Sequence, residues 1–401
     1  MGTDGRAPLR LFLVAGEHSG DALGGKLMAA LKAGRGSHGV VFAGVGGEEM
    51  AHQGLASLFP IEDVAVMGPT HIVPALPRIV RRVYQTVAAA LAFNPDGVVI
   101  IDSPEFTHPI ARRIRKRAPH IPIIDYVSPS VWAWRPGRAR KMRAYVDEIL
   151  GLLPFEPAAH QRLGGPHCTY VGHPLIEQLG EIQGADAAGL AQRLGIAQGR
   201  KVLTVLPGSR RSEVDRLVSV FGETIARLKN SGLGFDCIVP VVPHLKEKIA
   251  QAVASWPGNV HLVMGAADKY AAMRLGTAAL AASGTVTLEL ALAGLPMVVA
   301  YKVDAVTAAV VRRLITTDTA ILANLVLGSQ RPFPQYIQED CIPEKLAKAV
   351  AELMSDTSAR RVQLEALARV PGKLLLASGT PSEAAARAVL AVAGRPRREQ
   401  T

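Results

Sequence analysis

The amino-acid sequence predicts an α/β protein with two doubly wound domains that face each other across a cleft. Short apolar runs alternate with segments of helical period up to residue 171, and the same alternation restarts at residue 201. Strands that alternate with helices form parallel sheets joined by right-handed crossovers. The chain has 401 residues, 49% hydrophobic and 20% charged, so it is long enough to bury two separate cores.

The first half of the chain opens with a buried strand that runs into the loop Ala15–Asp21 and a helical pattern. A helix is predicted from His71 to Phe93, with Pro74 and Pro77 in its first turn or at an irregular entry. The predicted strands of this half are Leu9–Val14, Val40–Ala43, Gly97–Ile101, Ile121–Val127, Glu148–Leu153 and Cys168–Val171, with further helices at Ile110–Arg117 and Pro157–Leu163.

The second half repeats this pattern and then changes character. Its predicted strands are 201–206, 235–242, 259–263, 278–282 and 296–301, with helices at 211–230, 244–254, 267–275 and 285–293. Beyond Asp304 we predict helices without intervening strands, at 306–314, 346–354, 361–367 and 384–392. The expected domains are residues 1–175 and 176–375, with a C-terminal helix within 376–395 that packs back on the first domain.

Cysteine use and hydropathy exclude several protein classes. Cys168, Cys237 and Cys341 are widely spaced and form no C-x-x-C pair, which indicates neither a disulfide framework nor a zinc site and fits a reducing cytoplasm. The apolar stretch Leu11–Ala15 is too short for a signal-peptide core. No window approaches the roughly 20 apolar residues that span a bilayer, so any contact with a membrane is expected to be peripheral.

The net charge of +11 is concentrated in one segment. From His71 to Arg143, thirteen Lys or Arg residues stand against four acids. Such an excess indicates an anionic partner surface, either lipid headgroups or nucleic acid, although solvated helix faces give the same pattern. In the helix predicted over 71–93, Arg78, Arg81 and Arg82 lie off the apolar stripe. This helix is a candidate for lying on an anionic membrane, and the alternative is a stripe that faces the core.

Two strand-to-helix turns in the second half are candidates for binding phosphate. The turns are Pro207-Gly208-Ser209-Arg210 and Ser283-Gly284-Thr285. Free N–H groups and the helix dipole attract an anion at such a turn, and Arg210 adds a cation, so we expect the first turn to hold the diphosphate of a nucleotide-sugar. Glu289 is placed to accept hydrogen bonds from a ribose, and its structural alternative is a capping box.

Acidic residues follow the predicted strands of the first half, where open α/β sheets bind their ligands. Asp102 comes directly after the strand Gly97–Ile101. It is the candidate base that removes a proton from an attacking hydroxyl, with Glu17 and Glu105 as rivals. The structural alternative for Asp102 is an Asp that only caps a helix or anchors a loop.

The loop 128–135 carries Trp132 and Trp134, two of the three tryptophans, and is typical of a pocket wall or an interfacial contact. We find no Asp-x-Asp, H-x-x-x-H or cysteine pair that indicates a metal site. Stabilisation of a leaving diphosphate by Arg210 and the helix dipole is therefore the simpler expectation.

Seven motifs stand in a specific order along the chain. They are Ala15–Gly24, Val66-Met67-Gly68, Ile101–Phe106, Tyr126–Arg135, Leu153-Pro154-Phe155-Glu156, Leu206–Arg210 and Ser283–Thr285. The most specific is the run Tyr126-Val127-Ser128-Pro129-Ser130-Val131-Trp132-Ala133-Trp134-Arg135. In this order the motifs resemble the lipid A disaccharide synthase family, and the resemblance runs from about Leu11 to Asp340.

The resemblance implies a GT-B glycosyltransferase with two Rossmann-like domains that is inverting, metal-independent and free of cofactors. It implies transfer of 2,3-diacylglucosamine from UDP-2,3-diacylglucosamine to the primary hydroxyl of 2,3-diacylglucosamine 1-phosphate, with release of UDP. The expected partners are these two lipids and the inner face of the cytoplasmic membrane, not nucleic acid, and a homodimer stays open.

The resemblance also implies roles for single positions. Asp102 is the essential acid and expected base, while Arg210, Glu289 and Asn324 are expected at the nucleotide together with the two turns. Residues expected to face the cleft or the acceptor are Glu17, Ser19, Glu105, Ser128, Trp132 and Trp134. The alternatives are another GT-B UDP-N-acetylglucosamine transferase or epimerase, and a non-catalytic basic binding module.

Overall fold

The computed structural model describes residues 7–35, 39–65, 69–304, 308, 314–315 and 317–394. Its internal contacts divide the chain into two compact units, Met1–Pro174 with Leu376–Thr401, and Leu175–Leu375. Two predicted features, the motif Val66–Gly68 and most of the helix 306–314, lie outside the described residues.

The first unit contains a parallel sheet of six strands. They are β1 Leu9–Ala15, β2 Val40–Val45, β3 Gly97–Ile101, β4 Ile123–Tyr126, β5 Glu148–Gly151 and β6 His167–Tyr170. Their order across the sheet is β2-β1-β3-β4-β5-β6. Every residue of β3 is buried, because helices cover both faces of a parallel sheet and leave neither to solvent. The carboxyl ends of β1 and β3 are neighbours in this order, with Ala15 opposite Ile101.

Six helices of the first unit precede the second unit in the chain. They are α1 His18–Arg35, α2 Glu48–His52, α3 Pro69–Phe93, α4 Pro104–Arg117, α5 Gly137–Met142 and α6 Glu156–Arg162. On α3, Val83 and Val87 pack into one core of the sheet. Pro74 and Pro77 lie inside this helix and not at its entry, because the helix begins at Pro69.

The second unit contains another parallel sheet of six strands. They are β7 Lys201–Leu206, β8 Phe235–Val241, β9 Val260–Met264, β10 Ala278–Ala282, β11 Met297–Tyr301 and β12 Gln335–Ile337, in the order β12-β11-β10-β7-β8-β9. Its helices are α7 Leu179–Gln183, α8 Ala187–Arg193, α9 Arg211–Asn230, α10 Lys246–Val253, α11 Ala266–Leu275, α12 Val286–Ala293, α13 Leu322–Val326, α14 Pro343–Leu353 and α15 Ser358–Leu374.

The prediction of a strand-free segment beyond Asp304 is wrong. β12 extends the second sheet by pairing with β11, with Val299 opposite Gln335 and Tyr301 opposite Ile337. A strand of three residues with a polar Gln at its start has no apolar run to mark it, and its position depends on the edge that β11 offers.

The last described helix, α16 Pro381–Ala393, belongs to the first unit although it follows the second unit in sequence. It packs against α1, and Val389 lies fully buried among residues such as Leu27 and Met28. Ala393 lies close to Gly97, where an added Cβ would approach the Ala393 Cβ to 3.0 Å. The first unit therefore closes one of its two cores with the C-terminal helix.

We expect Val389→Asp to destabilise the first unit by at least about 3 kcal/mol, because the carboxylate would be buried without a partner. Hydrogen exchange of the α1 amides, which pack against α16, is the measurement. Ala391→Asp places the same charge on the exposed side of α16 and should cost only about 1 kcal/mol, from helix propensity and the helix dipole. Unchanged exchange of α1 in Val389→Asp would refute the role of α16 in this core.

Candidate functional site

Asp102 lies at the turn between β3 and α4 and has a left-handed backbone. Its φ is 53°, and that of Ser103 is 45°. Two hydrogen bonds hold this turn: the Ser103 N–H donates to Asp102 Oδ1 at 2.8 Å, and Thr107 Oγ1 donates to the Asp102 carbonyl at 2.8 Å. Non-glycine residues adopt this backbone only when the surrounding structure holds them there. The turn thus fixes the Asp102 carboxyl at the edge of the sheet.

The loop after β1 brings Glu17 and Ser19 to the same place. Ser19 Oγ donates to Asp102 Oδ2 at 3.4 Å, and Ser103 Oγ donates to Glu17 Oε1 at 2.7 Å. The structure therefore groups three of the predicted residues, Glu17, Ser19 and Asp102, at adjacent strand ends.

The environment of Asp102 makes its carboxyl more basic than that of an ordinary Asp. Burial raises its pKa, and the charges of Glu17 and Asp125 raise it further. The hydrogen bonds from Ser103 and Ser19 favour the ionised form but only partly offset these effects. A carboxyl with a raised pKa at a sheet edge is suited to accept a proton from a hydroxyl.

Glu105 does not join this group. Its side chain is 68% exposed and pairs with Arg138, whose Nη2 lies 3.0 Å from Glu105 Oε1. In the described structure Glu105 thus pairs with a cation on α5 and not with the Asp102 turn. This arrangement favours Asp102 and Glu17 over Glu105 as the base.

The predicted acceptor residues Ser128, Trp132 and Trp134 lie in the loop between β4 and α5, which we name the tryptophan loop (residues 128–135). Trp134 stacks under the Arg135 guanidinium, 4.4 Å from the ring centroid. Ser128 and Trp132 contact α6, whose residues His160 and Glu156 had no predicted role. The only sequence signal for Glu156 is the motif that ends on it.

A buried pair, His108 and Asp125, also lies behind Asp102 and was not predicted. His108 Nε2 is 3.2 Å from Asp125 Oδ2, and both side chains are almost fully buried. His108 Nδ1 lies 3.0 Å from the Tyr145 hydroxyl, which accepts a hydrogen bond from Arg112 at 3.2 Å. These contacts connect the interior of the first unit to its basic surface.

In the second unit, the turn Pro207–Arg210 joins β7 to α9. Gly208 has φ 118°, and a Cβ there would lie 2.6 Å from the Glu213 Cβ. Glu213 Oε2 accepts from the N–H groups of Ser209 (3.1 Å) and Arg210 (3.3 Å). The expectation of free N–H groups is therefore wrong at these two positions. The Arg210 guanidinium also pairs with this carboxylate, with Nη1 3.4 Å from Glu213 Oε1, although the Arg210 side chain is 61% exposed to solvent.

The second turn, Ser283–Thr285, joins β10 to α12. Ser283 Oγ donates to the Ala320 carbonyl at 2.9 Å. The side chain of Thr285 makes no hydrogen bond as the N-cap of α12, so the alternative of a capping box with Glu289 is not observed. Glu289 instead pairs with Lys269, whose Nζ lies 2.8 Å from Glu289 Oε1.

Asn324 on α13 is 1% exposed. Its Nδ2 donates to Thr319 Oγ1 at 3.2 Å and to the Phe333 carbonyl at 2.9 Å, and its Oδ1 accepts from the Phe333 N–H at 3.2 Å. The amide is fully used within the chain. Asn324 therefore shapes the segment around α13 and does not offer its side chain to a nucleotide in this structure.

The three arginines predicted to face a membrane differ in their surroundings. Arg82 binds Asp63 through Nε at 2.9 Å and stacks over the Phe59 ring at 4.6 Å. Arg78 is half exposed, donates to the Asp63 carbonyl at 3.1 Å and has its Nε 3.9 Å from Asp63 Oδ1, whereas Arg81 is exposed and has no such contact among the described residues. Only Arg81 therefore projects its charge outward without a described acidic partner.

Two further findings concern metals and membranes. Among the residues that the structure describes, no group of three or more His, Cys, Asp or Glu side chains could hold a metal ion. None of the described helices combines the length and the apolar character needed to cross a bilayer.

Solved structures with this architecture are GT-B glycosyltransferases and related epimerases. A glycosyltransferase from Rickettsia africae aligns with a TM-score of 0.59 and 10% identity, covering 96% of this chain and 98% of the other. A UDP-GlcNAc 2-epimerase from Neisseria meningitidis, solved with UDP-GlcNAc, aligns with a TM-score of 0.62 and 12% identity, covering 96% and 99%. Such identities show the fold alone, and they confirm the predicted GT-B class.

The sequence comparisons are more specific. A model of the lipid-A-disaccharide synthetase family matches residues 11–381. The lipid-A-disaccharide synthase of Bradyrhizobium diazoefficiens is 51% identical over 395 residues, covering 98% of this chain and 99% of that protein. The enzyme of that name from Rhodopseudomonas palustris is 53% identical over 382 residues, covering 95% and 96%. The chain belongs to the lipid-A-disaccharide synthetase family.

We expect Asp102→Asn to raise the melting temperature at pH 8, because it removes a carboxylate whose ionisation opposes folding. The pKa of Asp102 is raised in the folded state, so folding is penalised where this carboxyl is ionised. The penalty shrinks as the pH falls through the raised pKa and is absent below about 3.8, where the folded and unfolded states are both protonated.

Thermal unfolding at pH 8 and at pH 4 measures this difference. Asp356→Asn is the matched control, because the Asp356 side chain is 87% exposed, and it should give no gain at either pH. An equal gain in both variants, or a gain that does not shrink with falling pH, would contradict the assignment of a strained carboxyl at position 102.

Proposed function

We propose that the chain transfers 2,3-diacylglucosamine from UDP-2,3-diacylglucosamine to the primary hydroxyl of 2,3-diacylglucosamine 1-phosphate and releases UDP. Membership of the lipid-A-disaccharide synthetase family supports lipid A disaccharide synthesis as the activity. The observation that carries the chemistry is the Asp102 carboxyl, which is half-buried, has a raised pKa and lies with Glu17 at the end of two central strands.

In the proposed reaction Asp102 takes the proton of the acceptor hydroxyl while the hydroxyl oxygen attacks C1 of the donor sugar. The new C1–O bond forms opposite the bond to phosphate, which breaks, so the configuration at C1 inverts. The electron pair of the broken bond leaves on UDP. The exposed Arg210 guanidinium stabilises this developing charge, so the proposed mechanism is independent of a metal.

The positions of the remaining predicted residues decide where we place the two substrates. We place UDP at the turns Pro207–Arg210 and Ser283–Thr285, with Glu289 accepting from the ribose and Lys269 orienting Glu289. We place the acceptor sugar near Ser19 and the tryptophan loop, which both belong to the first unit.

A transferase or epimerase that acts on unacylated UDP-N-acetylglucosamine, and a non-catalytic basic module, are not favoured. Relatives that are 51–53% identical over nearly the whole chain carry the name lipid-A-disaccharide synthase. Release of UDP from acylated and from unacylated donors separates these functions. Equal turnover of both donors would contradict specificity for the acylated sugar.

We expect Asp102→Asn to lower kcat by roughly 10²–10⁴-fold, because a general base contributes about that factor. The dissociation constant for UDP should change less than about twofold, because the proposed base acts on the acceptor and its loss does not weaken the binding of UDP. Titration calorimetry with UDP and an assay of UDP release give the two values. Asp356→Asn should leave both unchanged, and an equal loss of UDP binding in Asp102→Asn would rule out its role as the base.

We also propose that the first unit lies on the anionic inner face of the cytoplasmic membrane. On α3, the apolar side chains of Leu76, Val80 and Tyr84 repeat every four residues and are about half exposed. The Arg113 guanidinium lies 4.9 Å from the Tyr84 ring centroid. It connects this stripe to a basic cavity lined by Arg112, Arg113, Arg115, Lys116, Lys141, Ala144 and Tyr145. Apolar side chains beside cations suit the boundary between acyl chains and phosphate headgroups.

Arg81→Glu should weaken binding to phosphatidylglycerol vesicles by about fivefold or more, because each cation near an anionic surface contributes about 1 kcal/mol. Vesicle co-sedimentation at low salt is the measurement. Lys246→Glu, an exposed lysine on α10 of the second unit, is the matched control and should weaken binding less. Equal effects of the two substitutions would refute a specific role for the α3 surface.

A further inference from the structure

One face of α6 contacts the tryptophan loop at two points. Glu156 and His160 are four residues apart, so their side chains project from the same side of the helix. Glu156 Oε1 accepts a hydrogen bond from Trp132 Nε1 at 3.2 Å, and His160 Nε2 lies 2.7 Å from Ser128 Oγ. Both residues of α6 are buried, so water competes little for these contacts.

The segment that leads into α6 holds the Trp132 indole from a second side. Phe155 meets the indole edge to face, with 5.1 Å between ring centroids and 85° between ring planes. Glu156 is itself held in place, because its Oε2 accepts from the Leu153 N–H at 2.9 Å. The hydrogen bond to Glu156 and the ring contact with Phe155 thus fix the orientation of the Trp132 indole.

We propose that α6 is a clamp that holds the tryptophan loop in the position that binds the acceptor sugar, with Glu156 as its positioning residue. The role of the loop in acceptor binding rests on the proposed function, whereas the clamp rests on the contacts alone. Glu156 touches neither substrate nor reacting atoms. It acts through Trp132.

The clamp changes charge near neutral pH. Burial raises the pKa of Glu156 to about 7, which outweighs the hydrogen bonds from Leu153, Trp132 and Leu152 that lower it. Cys168 and Tyr170 face Glu156, and both have pKa values raised by burial and by the Glu156 charge.

The second contact of the clamp, between His160 and Ser128, includes another titratable group. Burial lowers the pKa of His160, while the charge of Asp125 acts in the opposite direction. The titration of the clamp through pH 7 is therefore assigned to Glu156. An ionised carboxylate is a stronger acceptor for an indole N–H than a protonated one, so the clamp tightens as the pH rises through about 7.

Tryptophan fluorescence tests the clamp without any substrate. The chain has three tryptophans, so Trp134→Phe with Trp256→Phe leaves Trp132 as the single emitter. We expect its emission to titrate with a midpoint of about 7 and Glu156→Gln to abolish the titration. Glu148→Gln is the matched control, a buried carboxyl that binds His167 and Thr169, and should preserve it. A titration that persists in Glu156→Gln would overturn the proposal.

Steady-state kinetics in the otherwise unaltered chain tests what the clamp does. Glu156→Gln should raise the KM for the acceptor about fivefold to tenfold, the equivalent of roughly one ordinary hydrogen bond, and leave the dissociation constant for UDP within about twofold. Glu148→Gln should change neither. If the fluorescence titration is lost but the acceptor KM stays constant, the role in acceptor binding is overturned.

One further variant and one activity measurement separate failure of the clamp from failure of the proposed function. His160→Asn removes the contact with Ser128 and leaves Glu156 in place, so it should raise the acceptor KM and keep the fluorescence titration. An unchanged KM in this variant counts against the clamp, even if Glu156→Gln does not fold. Absence of UDP release by the unaltered chain with any acylated donor would refute the proposed function, while the fluorescence titration would still decide whether Glu156 holds Trp132.

Discussion

The site of the first unit depends on the close approach of two backbone turns at neighbouring strand ends. A Cβ on Gly16 would lie 2.6 Å from the Ser103 Cβ, so only glycine allows the loop after β1 to lie against the turn after β3. That second turn keeps a left-handed backbone at Asp102 and Ser103, which costs energy for residues with a Cβ. The approach brings the carboxyls of Glu17 and Asp102 to one sheet edge, where the Ser103 hydroxyl donates to Glu17 and the Ser103 N–H donates to Asp102.

Grouping carboxyls in this way opposes stability, and the surrounding structure offsets the cost. Burial and the Glu17 charge disfavour ionised Asp102, which is the form that a base needs. The stabilisation comes from elsewhere in the unit: β3 is buried throughout, and α16 returns from the far end of the chain to complete a core that includes Leu27 and Val389. The site is therefore strained locally and supported by packing that involves no site residue.

Local sequence patterns were sufficient to predict most helices and strands but not the contacts between them. The bounds of β3, β7, β10 and α9 agree with prediction, because apolar runs and helical periods mark them directly. β12 lacks such a run, and its pairing depends on an available edge. Asp102 was identifiable because it follows a buried strand. The contacts of Glu156 and His160 were not, since each depends on segments that meet only in the folded chain. The contact of Glu213 with Ser209 spans only four residues, and the prediction of free N–H groups overlooked it.

The second unit shows why such contacts matter for an anion site. A turn with free N–H groups would bind any phosphate, but Glu213 already occupies two of them at Pro207–Arg210. A diphosphate bound there, as proposed, would meet the Glu213 carboxylate as well as the Arg210 cation that pairs with it. The proposed UDP site therefore relies on the Arg210 cation and not on free backbone N–H groups of this turn.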